Sequence, residues 1–180
     1  MRKITVGEFI SLDGVVEAPD QWHFPYLSDE MFAAMWAQNE AADTMLLGRV
    51  TYQSFAGAFA DAPADDEVAA KLNRLARVVV SSTLTELAWT NSTLLTGDVV
   101  EQVGKLKERP GKDILITGSI TLVRALLRAG LVDELSLFVH PIVVGTGERL
   151  FESGVGPIPL ELAASATFRT GVMHLTYRKA

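Results

Sequence analysis

Three short segments place small and hydroxylated residues directly after apolar runs: Leu47-Gly48-Arg49-Val50-Thr51, Val80-Ser81-Ser82-Thr83 and Thr117-Gly118-Ser119-Ile120-Thr121. An apolar run that ends this way reads as a buried strand leaving a sheet. The first and third segments continue at helical spacing, so Gly48 and Gly118 stand where unpaired amides and the positive end of a helix favour an anion. Glycine also lets a phosphate close on the backbone. Arg49, Thr51, Ser81, Ser82 and Thr83 add a guanidinium and hydroxyls, donors suited to a pyrophosphate and a ribose phosphate. Taken singly these are ordinary turns and caps. In succession they predict a dinucleotide cradle formed by Gly48, Arg49, Thr51, Ser81, Ser82, Thr83, Gly118, Ser119, Ile120 and Thr121 at the carboxyl ends of strands.

The elements that must position this cradle alternate between strand and helix. Residues 4–9 read as a strand, and residues 11–27, with Gly14, Pro19 and Pro25, as a long loop of the kind that carries function. Ser28 caps a helix whose apolar positions Met31, Phe32, Met35 and Trp36 run to about Ala42. A strand at 43–47 ends at Gly48, a short helix follows Arg49, and Asp65 caps a third helix with Val68, Leu72 and Leu75 inward. Strands are predicted at 78–80, 92–96 and 113–117, with helices starting near Val99 and Ile120 and stopping before Pro110 and at Gly130. Residues 133–144 read as a long strand, and segments near 158–168 and 171–179 as a closing edge hairpin. This order predicts an α/β fold: a mixed, mainly parallel sheet covered on both faces, with a C-terminal antiparallel hairpin.

Composition narrows the function classes. A chain of 180 residues, 48% hydrophobic, suits one domain spanning residues 1–180. It has no cysteine, which excludes disulfides, thiolate metal sites and a cysteine nucleophile, and fits a cytoplasmic protein. No signal-peptide pattern follows Met1-Arg2-Lys3, and no apolar run is long enough to span a membrane. The net charge of −6 and the scattered basic residues argue against nucleic acid as a partner. The three histidines lack metal-binding spacing, so no metal is expected. Gly145-Thr146-Gly147-Glu148 lacks the lysine of a P-loop and the third glycine of a Rossmann fingerprint. It reads as a turn bordering a substrate pocket, with Glu148 a candidate substrate contact.

The segments Gly48-Arg49-Val50-Thr51-Tyr52-Gln53-Ser54-Phe55, Val78-Val79-Val80-Ser81-Ser82 and Ile116-Thr117-Gly118-Ser119 resemble the successive cofactor-binding segments of dihydrofolate reductases. Ser11-Leu12-Asp13-Gly14, Gly130-Leu131-Val132-Asp133-Glu134-Leu135, His140-Pro141 and Gly145-Thr146-Gly147-Glu148-Arg149-Leu150-Phe151 are more similar to the C-terminal reductase domain of the bifunctional riboflavin-biosynthesis enzyme RibD. The resemblance runs nearly end to end. It implies a dihydrofolate-reductase-like three-layer α/β/α fold, NADPH as cofactor, a homodimer, and reduction of a small nitrogen heterocycle of the 5-amino-6-(5-phosphoribosylamino)uracil type. The alternatives are dihydrofolate reduction and a catalytically silent NADP-binding protein. By the same resemblance Gly48, Arg49 and Thr51 serve the pyrophosphate and adenosine side, Ser81 and Ser82 the 2′-phosphate, and Gly118 to Thr121 the diphosphate. At position 119, where both families usually carry a second glycine, this chain has serine.

Reduction of a C=N bond requires a proton for the nitrogen. The resemblance to dihydrofolate reductases points to Glu30 at a helix start, where apolar Met31, Phe32 and Trp22 would raise its pKa. First-turn acids are also ordinary partners of the helix dipole. The RibD-like alignment points instead to Asp13, beside the substrate. Relatives acting on phosphoribosyl compounds commonly carry lysine after this Asp-Gly, whereas here the residue is Val15. Trp22 and His23 lie in the long loop that, in the relatives, closes over the nicotinamide and excludes water, and Trp22 is a candidate substrate contact.

Overall fold

Strands separated by helices cannot pair as hairpins, so the βα alternation imposes parallel neighbours. In a computed structural model, which describes residues 1–154 and 156–180, the strands are β1 (Ile4–Ser11), β2 (Ala42–Gly48), β3 (Ala76–Val80), β4 (Ser92–Leu95), β5 (Asp113–Thr117), β6 (Glu134–His140), β7 (Leu160–Thr167) and β8 (Met173–Lys179). The helices are α1 (Asp29–Ala41), α2 (Arg49–Phe59), α3 (Glu67–Asn73), α4 (Val99–Glu108) and α5 (Ile120–Arg128). The sheet order is β4-β3-β2-β5-β1-β6-β8-β7. β4 through β6 are parallel, and β8 and β7 add an antiparallel hairpin at one edge.

Alternate residues of each strand face opposite layers. Val6, Ile10, Leu46, Ile114, Ile116, Leu135 and Leu137 pack with Val103 and Leu106 of α4 and with Leu122, Val123 and Leu126 of α5. The intervening Met45, Leu47, Val79 and Leu115 meet Tyr52 and Phe55 of α2 and Leu72 of α3. Phe9 and Phe138 meet Met31, Ala34 and Met35 of α1. Thus α4 and α5 cover one face and α1, α2 and α3 the other. Among the described residues, no helix is long and apolar enough to cross a membrane.

Three of the boundaries that differ from the sequence-based expectation have a direct structural cause. β1 extends to Ser11 because β6 keeps pairing with it as far as Ser11–His140. The cap of α3 is Asp66, whose carboxylate accepts the Ala69 amide at 2.9 Å, instead of Asp65. Ala69 is buried and Val68 exposed, while Leu72 and Leu75 face the core as expected. The strand expected over 133–144 stops at His140, where the Ile142 amide doubles back to the His140 carbonyl at 2.8 Å and Pro141 has no N–H to continue a ladder.

Candidate functional site

β3, β2 and β5 are neighbouring parallel strands, so their exits at Val80, Gly48 and Thr117 share one edge of the sheet. After that edge α2 leaves on one face and α5 on the other. Neighbouring strands whose connections go to opposite faces open a crevice, the usual ligand position in such sheets. The two helix starts abut there. Gly48 caps α2 and donates its amide to the Ser119 hydroxyl at 2.9 Å, while the Ser119 amide donates to Thr51 Oγ1 at 2.8 Å. Gly118 and Ser119 both hold positive φ, 59° and 55°, and a Cβ on Gly118 would lie 3.0 Å from Thr51 Oγ1.

These bonds divide the expected donors into two groups. The hydroxyls of Thr51 and Ser119 are turned inward as braces, and Ser119 is buried. Left facing outward are Thr121, exposed on the first turn of α5, and Arg49, exposed and in contact with Gln53 at 3.2 Å. The amides of Ile120, Thr121 and Leu122 precede the first intrahelical bond, made by Val123 to the Ser119 carbonyl at 3.0 Å. At the β3 exit the buried Ser81 hydroxyl accepts the Thr83 and Leu84 amides at 3.1 and 3.0 Å, leaving Ser82 and Thr83 exposed.

A second crevice opens beside the first. Pairing of β1 with β5 ends at Gly7–Thr117, whereas β1 stays with β6 for four more residues, to Ser11–His140. Glu8 is the first residue of β1 past this parting. It shares the face of Val6 and Ile10, beneath α5, and is only 3% exposed. Burial pushes its carboxyl well above the usual range, opposed only by the Gly118 amide facing it. Among the described residues its Oε1 has no hydrogen-bond partner.

On the α1 face, the ends of β1 and β6 carry an aromatic nest. The buried His140 ring meets Trp22 at 5.2 Å, Phe9 at 5.5 Å and Tyr26 at 5.7 Å, all edge-to-face. His23 stacks on Phe9 at 4.8 Å. His140 Nδ1 donates to the Phe138 carbonyl at 2.8 Å, which leaves Nε2 as an acceptor, buried and without a partner among the described residues. Burial lowers the pKa of both His23 and His140 and keeps the rings neutral. Trp22 is buried, its indole N–H on the Glu17 carbonyl at 3.2 Å.

The two carboxylates expected near this region are both engaged. Asp13 accepts the Ser11 hydroxyl at 2.7 Å and the Val144 and Gly145 amides at 3.0 and 2.9 Å, and these bonds hold its pKa down at about 2. Its geometry is that of a clamp between two loops. Glu30 accepts the Arg169 amide at 3.0 Å, on the turn between β7 and β8. Glu148 points to Arg124 of α5 at 3.2 Å. Val15 is buried and bridges Arg149 across the loop pair.

The sequence reading overlooked Glu8, Phe9 and the orphaned nitrogen of His140. A signal for Glu8 was present: in Ile4-Thr5-Val6-Gly7-Glu8-Phe9-Ile10 it occupies a position whose alternation partners, Val6 and Ile10, are core residues.

The chain matches the RibD C-terminal domain family over residues 2–174. It is 29% identical over 180 residues to the uncharacterized protein YyaP of Bacillus subtilis (strain 168), covering 98% of this chain and 94% of that protein. A provisionally named riboflavin biosynthesis protein of Shewanella sp. PV-4 superposes with a TM-score of 0.77 at 22% identity, covering 99% of each chain. The diaminohydroxyphosphoribosylaminopyrimidine deaminase/5-amino-6-(5-phosphoribosylamino)uracil reductase of Thermotoga maritima superposes with a TM-score of 0.69 at 14% identity, over 99% of this chain and 57% of that one. These structural likenesses bear out the dihydrofolate-reductase-like fold, and the span of the family match is decisive: the chain belongs to the RibD C-terminal domain family.

Proposed function

We propose that the protein is an NADPH-dependent reductase of a small nitrogen heterocycle. The observation that carries this reading is the meeting of two helix starts, α2 and α5, at one crevice, joined by the bond from Gly48 to Ser119. Two positive helix ends side by side, with the first-turn amides of Ile120, Thr121 and Leu122 and the exposed Arg49, suit a diphosphate. The exposed Ser82 and Thr83 lie one strand further out, where the adenosine 2′-phosphate would extend. In the other direction the β5–β1 parting and the aromatic nest receive the redox end and the substrate. The bifunctional deaminase/uracil reductase of Thermotoga maritima, over 57% of its chain, and a pyrimidine reductase-like protein from Corynebacterium diphtheriae share the fold and support the same substrate class.

When bound, the reduced nicotinamide supplies a hydride to the carbon of a C=N bond. Trp22, Phe9 and Tyr26 exclude water from that step, and the neutral His140 Nε2 accepts an N–H of a flat heterocycle. Val15 is buried where phosphoribosyl-specific relatives carry lysine, which removes that cation and favours an unphosphorylated substrate. Asp13 is ionised at neutral pH and has no proton to give, so the proton for the substrate nitrogen comes from solvent once the hydride has been delivered.

The engagement of Asp13 and Glu30 favours one second reading, a nucleotide-binding protein without turnover. One experiment separates the two: thermal shift with NADPH and NADH, followed by NADPH oxidation in the presence of aminopyrimidine or dihydrofolate substrates. Stabilisation by NADPH with turnover supports the reductase, and stabilisation alone supports the silent binder. A melting temperature unmoved by either nucleotide in excess removes both.

A further inference from the structure

We propose that Glu8 is a positioning residue of the cofactor cleft and the gate on it: uncharged, it braces the Gly118–Ser119 turn and admits an anion at the start of α5; ionised, it expels that anion. The inference rests on the reading above that a phosphate-bearing cofactor occupies this edge.

The placement of Glu8 is specific. It stands where β1 parts from β5, beneath the first turn of the helix that offers its free amides to the ligand. Its side chain lies on the α4–α5 face, away from Trp22 and His140, so it serves the cofactor side of β1 and not the substrate nest. The Gly118 amide faces its carboxyl, and the next amide, Ser119, is held by Thr51. Thr51 holds the Ser119 amide inward, the Gly118 amide faces Glu8 from the other side, and the three amides after them are left for an anion.

Among the described residues no cation answers Glu8. On α5, Arg124 is held by Glu148 and Glu152 at 3.2 and 3.3 Å, and Arg128 by Glu152 at 2.5 Å. On α4, Lys107 is held by Asp133 at 2.5 Å and Lys105 by Glu101 at 2.5 Å. On β6, Glu134 pairs with Arg178 and His140 faces the other layer. Asp113 on β5, like Arg2 and Lys3 before β1, lies at the opposite end of the strands. A buried carboxyl with no cation keeps its proton at neutral pH, and burial raises its pKa as expected. Were it ionised, a unit charge that close to a bound diphosphate would weaken binding by about tenfold or more at the effective dielectric of such sites. Cofactor binding is therefore linked to retention of one proton on Glu8.

The test is NADPH affinity, followed by nucleotide fluorescence from about pH 7 to about pH 9.5, above the range where a phosphate's second proton titrates (about pH 6). In the wild-type protein Kd should rise about tenfold or more with a one-proton dependence. In Glu8→Gln, which keeps the shape and a donor without a charge, Kd should stay within about twofold across the range. A flat wild-type profile, or an unchanged slope in Glu8→Gln, overturns the proposal. Should Glu8→Gln not fold, calorimetry of the wild type in buffers of different ionisation enthalpy reads the same linkage: proton uptake on binding at high pH supports it, and none overturns it. Absence of NADPH binding near pH 7 overturns the cofactor reading itself, whereas binding that ignores pH overturns only the role of Glu8.

Discussion

The Ser119 hydroxyl accepts the amide of Gly48 at 2.9 Å, tying together the starts of two helices that lie on opposite faces of the sheet. Ser119 does this from left-handed backbone, φ 55°, a conformation that costs an L-residue about 1–2 kcal/mol. Ser119→Gly relieves that strain and loses a bond worth about 1 kcal/mol, so its stability in urea should stay within about 1 kcal/mol of wild type. Ser119→Ala keeps the strain, loses the bond, and should fall by about 1–2 kcal/mol. The glycine variant also frees the Gly48 amide for an anion and should bind NADPH severalfold more tightly. Equal stabilities for the two variants would show that the left-handed strain carries no weight, and an alanine variant as stable as wild type would show that the hydroxyl carries none.

Asp13 should prove to be a loop clamp. Its carboxylate is bonded to Ser11, Val144 and Gly145, and Arg149 donates to its backbone carbonyl at 2.9 Å. Asp13→Asn removes the charge and one acceptor oxygen, so hydrogen exchange at the Val144 and Gly145 amides should accelerate. In turnover KM should rise more than kcat falls, since a clamp shapes the pocket without joining the chemical step. A collapse of kcat with KM unchanged would return the residue to the role of proton donor. The depressed pKa fixes the pH dependence: the clamp is fully present above the ordinary carboxyl value of 3.8 and is lost as pH falls toward about 2.

The succession of elements and the shared exits were legible because period-two apolar runs alternate with period-3.6 runs, and that alternation permits little besides a parallel sheet. The internal division of the cradle was not. Gly48, Thr51 and Ser119 have the composition of ligand donors, but their separations in sequence hide that they face one another and satisfy one another. Asp13 shows the same limit: its partners Val144 and Gly145 are some 130 residues away in the chain, and only the closed fold shows that the carboxylate is occupied. Glu8 was missed for the opposite reason, since an acidic residue inside an apolar run reads as an ordinary strand position, and only the fold shows its carboxyl buried with an oxygen unpartnered among the described residues.

His23, His140 and His174 are all held neutral by burial, so they share one sign of pH dependence. Each has a folded-state pKa below 6.5, and the unfolded chain therefore binds more protons in the window beneath that value. Their contribution to stability is complete above pH 6.5 and is lost as pH falls through the lowered values. Urea midpoints should drop between about pH 7 and about pH 5, and His140→Phe, which keeps a ring in the nest, should flatten part of that drop. The same variant should weaken binding of 6-aminouracil more than that of 1,3-dimethyluracil, which has no N–H for Nε2 to accept. Equal losses for the two would place the ligand elsewhere.

Arg77 of β3 should govern the cradle from a distance. It is 1% exposed, its guanidinium stacks 4.2 Å over Trp89, and it donates to the carbonyls of Leu72 and Thr90 and to the Ser92 hydroxyl. Among its partners in the described residues there is no carboxylate, so planarity and the fork of donors hold it in place, not charge pairing. Arg77→Lys keeps the charge, loses the fork and the stacking, and leaves a buried ammonium short of acceptors, at an expected cost of about 3 kcal/mol. Arg77→Met loses the donors but also removes the buried charge, and should be the less harmful of the two. Both loosen the connection from β3 to β4, which carries Ser82 and Thr83, so the preference for NADPH over NADH in thermal shift should shrink in each. Lysine proving as stable as arginine would show that charge alone is what this position requires.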